Sequence, residues 1–166
     1  MAVDPKIEAA TRKLLGHAIR GEMDHFYELI ADIGPEVYEG VGELVILAAG
    51  YIATDISGRW PSRADIAALA EHGATPRHSQ VTETEIREHL TRVVFGGEPV
   101  LEVFAGDERA PLVPVFVAAD LLLSFSGNYG DQWEYLDAIW NALDAAENVD
   151  GTVVPAVIYL AGKQRA

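Results

Sequence analysis

The sequence predicts a single all-α domain, a bundle of six to eight helices, and three observations lead to this prediction. Residues 41–56 carry no charge between Glu43 and Asp55, and their apolar side chains occupy every side of a 3.6-residue period. Residues 115–125 are almost as apolar. Elsewhere, apolar residues recur at steps of three and four. The two apolar segments are therefore expected to form the buried pair at the centre of the bundle.

The first helix is predicted to begin at Asp4 and Pro5. Aspartate accepts hydrogen bonds from free N–H groups of the first turn, and proline there gives up an N–H group that would have no partner. Apolar residues at helical spacing continue to Ile33. Gly16 and Gly21 interrupt the pattern, so they are the expected places of a bend or a break.

The central helix is predicted to begin at Pro35, because the pair Gly34 and Pro35 ends the helix before it. It runs to Ile56 and ends at the glycine that follows Ser57. Its uninterrupted apolar run, residues 44–53, is about half of the roughly 20 residues that cross a bilayer. We therefore expect a core helix and no membrane span.

Two shorter helices are predicted from their N-terminal capping residues. Ser62 precedes the first, with Asp65 three residues later, and Thr82 with Glu85 forms a capping box at the start of the second. Residues 74–81 between them are polar and contain a proline, which is typical of a loop.

The assignment of two later segments is less direct. Residues 98–105 and 152–161 are short, apolar and rich in valine, so we favour helices but keep strands as the alternative. A turn is expected at residues 106–114. Between these segments, Asp131 is predicted to cap a further helix, with Glu134 at its third position.

The two apolar helices also suggest an internal duplication within a single domain spanning residues 1–166. Valine followed by a pair of alanines occurs in both, at the same spacing and about 70 residues apart, and each helix ends in a Ser-Gly pair. The predicted repeats are residues 36–96 and 111–162. The alternative is that buried helices ending in glycine resemble one another without a common origin.

The composition of the chain indicates which cellular compartment and which classes of binding partner to expect. The 166-residue chain has no cysteine, which excludes disulfides and thiolate metal sites and favours a reducing cytoplasm, and its start shows no secretory signal. A net charge of −14 makes nucleic acid an unlikely partner unless the few arginines cluster. Arginine outnumbers lysine by nine to three, a hint of a GC-rich bacterial genome.

Glu22 and His25 are the strongest metal-ligand candidates, since Glu-x-x-His on a helix places both side chains on one face. A di-iron site needs a second such pair, and the nearest, Glu85 and His89, has the wrong spacing. A metal-dependent enzyme is therefore only an alternative. Glycine-rich phosphate loops and Gly-x-Ser-x-Gly elbows are absent from the sequence, so we expect neither a cofactor nor a catalytic residue.

A second alternative is a DNA-binding regulator. Residues 63–70 are similar to the first helix of a helix-turn-helix, in which a recognition helix follows after three or four residues. Here the gap is too long, and the next helix carries Glu83, Glu85 and Glu88, although Arg87 and Arg92 lie on it too.

A binding role, most simply to another protein, is the preferred interpretation. Aromatic and polar residues follow both buried helices, and arginine with exposed aromatic rings is typical of binding surfaces. The alternative is that Trp60 and Trp133 only fill the core at the helix ends. The candidate binding residues are Arg59, Trp60, Asn128, Tyr129 and Trp133.

Self-association is also predicted. With 49% hydrophobic residues, the chain is expected to leave one apolar helix face uncovered, and a twofold homodimer is the commonest way to cover it. Two faces near the chain ends are the candidates: Leu14, Ala18, Phe26 and Ile30 on the first helix, and Val154, Val157 and Ile158 near the C-terminus.

Overall fold

The computed structural model describes residues 4–96 and 110–146, and within them it contains six α-helices and two 3₁₀ turns but no strand. This confirms the all-α class and the helical bundle. The helices are α1 (Pro5–Arg20), α2 (Met23–Ser57), α3 (Arg63–Gly73), α4 (Glu83–Phe95), α5 (Val113–Phe125) and α6 (Gln132–Ala146), and the 3₁₀ turns are Ala110–Leu112 and Ser126–Asn128.

Several predictions fall outside the described residues. These are the helices at 98–105 and 152–161, the first part (106–109) of the turn at 106–114, and the C-terminal face of Val154, Val157 and Ile158. The rest of that turn is a 3₁₀ turn over Ala110–Leu112, and α5 begins directly after it at Val113, two residues before the predicted start. The end of the second predicted repeat also lies outside the described residues. The duplication therefore stays a prediction.

The two apolar helices α2 and α5 form the predicted buried pair. Each packs against all the other α-helices of the described chain. The most extensive contacts of α2 are with α1 and α5. From Leu47 to Asp55 every residue of α2 is buried, and so is every residue of α5 from Val113 to Leu122. The absence of an apolar stripe in either sequence segment reflects this burial on all sides.

The N-terminal helix breaks earlier than its apolar pattern indicates. Of the two glycines expected to bend it, Gly21 ends α1 in a left-handed conformation with φ of 72°, whereas Gly16 stays within the helix. Asp4 caps α1 as predicted, accepting a hydrogen bond of 2.8 Å from the backbone N–H of Lys6. Gly34, with φ of 81°, then interrupts α2 immediately before Pro35, where the two predicted helices meet.

The predicted capping box of Thr82 is present, and the predicted N-cap Ser62 forms a capping box as well. Ser62 caps α3 through the backbone N–H of Asp65, Thr82 caps α4 through that of Glu85, and each acidic side chain accepts a hydrogen bond from the backbone of its cap residue. Residues 74–81 are non-helical, as expected, and lie between the end of α3 and the cap of α4.

Helix α2 is long and apolar enough to span a membrane by length and composition, with a mean hydropathy of 1.3 over the window concerned. Within the protein, however, 72% of that window is buried. The non-helical conformation of Gly34 also divides α2. These features are those of a core helix.

The N-terminal face expected to be uncovered is mostly buried within the chain itself. Leu14 and Phe26 are fully buried and Ala18 is 3% exposed, so the prediction that this face is free in the monomer is wrong. The physical reason is that α1 packs on both α2 and α5, and the ring of Phe26 lies 5.1 Å from that of Phe116. Only Ile30 of this set is partly exposed.

Candidate functional site

The segments that follow the two buried helices lie at the same end of the bundle. The hydroxyl of Tyr129, just after α5, donates a hydrogen bond of 3.1 Å to Oδ2 of Asp55, near the end of α2. This contact places Tyr129 near the end of α2, the helix that Arg59 and Trp60 follow in the chain. The backbone of Asn128 lies in the adjacent 3₁₀ turn, and its side chain is outside the described part of the chain.

Asp55 is the polar centre of this end of the bundle, and the sequence did not single it out. It is 1% exposed, and its Oδ2 also accepts a hydrogen bond of 2.7 Å from the hydroxyl of the fully buried Tyr135. The rings of Tyr129 and Tyr135 are stacked, with centroids 4.3 Å apart. A carboxyl group held by two phenols joins α2 to α6.

Burial raises the pKa of the Tyr135 hydroxyl, and the neighbouring charge of Asp55 raises it further. The pKa of Tyr51, on α2, is raised for the same main reason. These phenols therefore stay protonated and act as hydrogen-bond donors, not as general bases. The arrangement holds helices α2 and α6 together.

A Tyr135→Phe substitution is expected to lower the free energy of unfolding by about 1.5 to 3 kcal/mol, the range for a hydrogen bond to a charged group. Chemical denaturation in urea measures it. Tyr129→Phe is the matched control, because its hydrogen bond to the same oxygen is longer and its side chain is partly exposed, so water can replace the hydroxyl. Equal effects of both substitutions would contradict a central role for Tyr135.

A small pocket opens beside this network, between the ends of α2 and α5 and the first turns of α3. Its volume is about 200 Å³. Apolar groups dominate the lining, and Phe125 is itself packed against the ring of His72, with centroids 4.9 Å apart. The lining residues are Ile56, Ser57, Asp65, Ala68, Leu69 and Phe125.

Arg59 and Trp60 lie in the connection between α2 and α3, two of the three helices that line this pocket. Arg59 binds Asp65 with both ends of its guanidinium, at 3.1 and 2.8 Å, and these bonds hold the pKa of the Asp65 carboxyl at about 2. Trp60 is 51% exposed. The alternative that Trp60 only fills the core is therefore wrong, and an exposed aromatic ring follows directly after the arginine that binds Asp65.

Trp133, the other predicted tryptophan, faces a different helix. It is partly buried against the core and lines a groove of about 290 Å³ along α1, together with Arg12, Lys13 and Arg20. The two arginines there are already paired, Arg12 with Glu8 and Asp137 and Arg20 with Glu22. Trp133 is thus separate from the pocket beside Trp60.

Glu22 and His25 do not form a shared site. Glu22 accepts hydrogen bonds from His17 at 3.0 Å and from Arg20 at 2.7 Å, and these lower the pKa of its carboxyl. The His25 ring stacks on that of His17, 5.6 Å between centroids. Within residues 4–96 and 110–146, no three His, Asp or Glu side chains are grouped so that they could hold a metal ion.

A third site lies between α3 and α4, where the sequence suggested a helix-turn-helix. The two helices pack on each other, but residues 74–82 connect them, more than the turn of that motif. Three arginines from the two helices nevertheless meet at one groove of about 530 Å³. Its lining residues are Arg63, Arg87, Glu88, Thr91, Arg92 and Gly96.

Comparison with models of protein families, with curated proteins and with solved structures finds no match to this chain. Function is therefore argued from the sites themselves.

Proposed function

We propose that this protein is a protein-interaction module that takes up one apolar side chain of a partner in the pocket beside Trp60. The observation that carries the proposal is an apolar pocket of about 200 Å³ together with an exposed indole that directly follows Arg59, the residue bound to the lining side chain of Asp65. Tryptophan is enriched among the residues that dominate binding energy at interfaces. Large aromatic rings are mostly buried in folded chains, so one that is 51% exposed favours a binding role.

The size of the pocket supports a protein partner over a small molecule. Pockets for small ligands have volumes of roughly 300 to 1,000 Å³, whereas a cavity of about 150 Å³ already holds benzene. A pocket of about 200 Å³ therefore suits a single aromatic or branched aliphatic side chain. The Arg59–Asp65 pair at its edge is locally neutral and supplies a fixed polar rim.

The charge of the chain favours a partner with a basic surface. At a net charge of −14, the field around the protein attracts positive surfaces and speeds their association. Binding to such a partner is expected to weaken as salt is added, because screening acts on this long-range attraction and leaves the apolar contact in the pocket intact.

Trp60→Ala is expected to weaken partner binding by about 2 kcal/mol or more, roughly 30-fold, and Ala68→Phe is expected to block it by filling the pocket from an exposed position. Tyr27→Ala is the matched control, since Tyr27 is also 51% exposed but lies on α2 far from its C-terminal end. Proteins retained by the wild-type chain from its own host are identified by mass spectrometry and titrated against the three variants.

A retained protein supports the proposal only when the Trp60 and Ala68 variants both lose it and the Tyr27 variant keeps it. Equal binding by all variants would overturn the proposal. A direct probe needs no partner: N-acetylphenylalaninamide at millimolar concentration should shift the methyl NMR signals of Ala68 and Leu69, and Ala68→Phe should abolish binding at this site.

The predicted homodimer becomes one outcome of the same experiments. If the occupant of the pocket is Trp60 of a second copy, sedimentation equilibrium gives twice the chain mass of 18.0 kDa, and Trp60→Ala returns it to a monomer. The N-terminal face of Leu14, Ala18, Phe26 and Ile30 offers little for such contact because Leu14 and Phe26 are fully buried.

A further inference from the structure

The groove between α3 and α4 concentrates positive charge in a strongly acidic chain. Three of the nine arginines line it, Arg63 from the first turn of α3 and Arg87 and Arg92 from α4. Glu88 is the one acidic residue among the described lining residues, which together carry a net charge of about +2, while the chain carries −14. Clustering of this kind is the condition under which anionic partners become plausible for an acidic protein.

In the described part of the chain, no carboxylate forms an ion pair with these arginines. Within residues 4–96 and 110–146, Arg12, Arg20 and Arg59 each form a salt bridge, and none of the three groove arginines does. Arg63 is instead held over the ring of Phe95, 5.1 Å from its centroid, a cation–π contact that leaves its N–H groups available. Among the described residues, the groove therefore presents guanidinium groups that are not engaged in an ion pair.

We propose that this groove binds a small molecule that carries two or more phosphate groups. Guanidinium groups recognise phosphate oxygens through paired hydrogen bonds, and several in one concave site match clustered phosphates. The volume of about 530 Å³ lies in the range of small-molecule sites. A compact ligand meets only the local positive charge, whereas extended DNA would also meet the negative field of the remaining chain.

This site is independent of the pocket proposed for a protein partner. Asp65, Ala68 and Leu69 of α3 line that pocket, whereas Arg63 turns toward α4, so the two sites share no lining residue. Loss of one activity therefore leaves the other measurable. Substitutions on α4 affect only the anion groove.

Titration calorimetry with inorganic pyrophosphate at low salt tests the proposal on the full chain. Arg87→Ala and Arg92→Ala are each expected to weaken binding about tenfold or more, because each removes charge-assisted hydrogen bonds to phosphate. Glu88→Gln should tighten binding by removing the opposing charge. Arg77→Ala is the charge-matched control, since Arg77 is exposed on the loop after α3 and does not line the groove, and it should change affinity less than twofold.

Titrations with other anions test whether the groove prefers a compact ligand with several phosphate groups. Orthophosphate and citrate should bind more weakly than pyrophosphate, and a DNA duplex more weakly still, per site. Pyrophosphate binding that is absent at millimolar concentration, or that is unchanged by the Arg87 and Arg92 substitutions, would overturn the proposal. So would a DNA duplex that binds more tightly than pyrophosphate and is lost in the same variants. Circular dichroism confirms that each variant is folded.

Discussion

Leu47→Ala is expected to lower the free energy of unfolding by about 2 to 5 kcal/mol, the range for truncating a buried leucine. Leu47 is 5% exposed and lies in the part of α2 that is covered on every side. The loss combines the transfer energy of the removed methine and methyl groups with the cavity left among helices that cannot close around it. Urea denaturation measures it as a lower midpoint with an unchanged slope.

The matched control is Leu123→Ala on α5, which removes the same atoms from a side chain that is 37% exposed. Its expected cost is about 1 kcal/mol, because part of the leucine already faces water and little cavity is formed. A Leu47 variant no less stable than the Leu123 variant would mean that α2 is not the centre of the core.

Local features of the fold were predictable because their causes lie within a few residues. The capping boxes of α3 and α4 need only a hydroxyl and a carboxyl three positions apart, and both are present. The burial of α2 follows from apolar residues on all sides of one segment. The break at Gly34 follows from the proline that succeeds it.

Features that depend on which surfaces meet were harder to predict. The face of Leu14 and Phe26 has the same amphipathic pattern whether it packs on its own core or on a second copy. Only the placement of α1 against α2 and α5 decides that it is covered. The anion groove is similar, because Arg63 and Arg92 come from different helices and nothing in either segment fixes their distance.

The hydrogen bonds of Asp55 could be predicted from the sequence only in part. A carboxyl within a helix predicted to be covered on every side must find donors or lose its charge, so Asp55 had to have buried polar partners. Tyr129 was among the predicted binding residues for a different reason. The partners are separated from Asp55 by 74 and 80 positions, and no local pattern identifies contacts across that distance.

A second buried carboxyl, Asp120 on α5, makes the stability of this protein depend on pH. It is 5% exposed, and burial raises its pKa from 3.8 to about 7, while a hydrogen bond with Ser79 opposes this only in part. Ser79 Oγ lies 2.5 Å from Asp120 Oδ2 and 2.9 Å from the carbonyl of Val81. One hydroxyl hydrogen cannot serve both acceptors. A protonated Asp120 resolves this by donating to Ser79, which then donates to Val81.

The sign of the effect follows from which state holds the proton. Below pH 3.8 the carboxyl is protonated in both folded and unfolded chains and adds no pH dependence. Between pH 3.8 and about 7 the unfolded chain releases the proton while the folded chain keeps it, so stability falls as pH rises. Above pH 7 the loss is complete. The difference between the folded and unfolded pKa values corresponds to a decrease of about 4 kcal/mol in the free energy of unfolding.

In the wild-type chain, the titration of His89 partly cancels this fall of stability with rising pH. Both ring nitrogens of His89 are buried without a hydrogen-bond partner among the described residues, and burial lowers its pKa from 6.5 to about 4. Its contribution has the opposite sign: stability present above pH 6.5 is lost as pH falls toward 4. The two slopes oppose each other over that window, so a flat wild-type profile does not argue against either group.

Asp120→Asn is therefore expected to stabilise the protein by up to about 4 kcal/mol at pH 8 and to change it little near pH 4. Asparagine stays neutral and its amide can donate to Ser79 as the protonated carboxyl does, while His89 is common to both chains and cancels in the difference. Urea unfolding of variant and wild type at each pH gives that difference directly. Asp32→Asn, on an exposed turn of α2, should stay within about 0.5 kcal/mol of wild type throughout. A gain from Asp120→Asn that is the same at pH 4 and pH 8 would show that packing, and not the buried charge, is responsible.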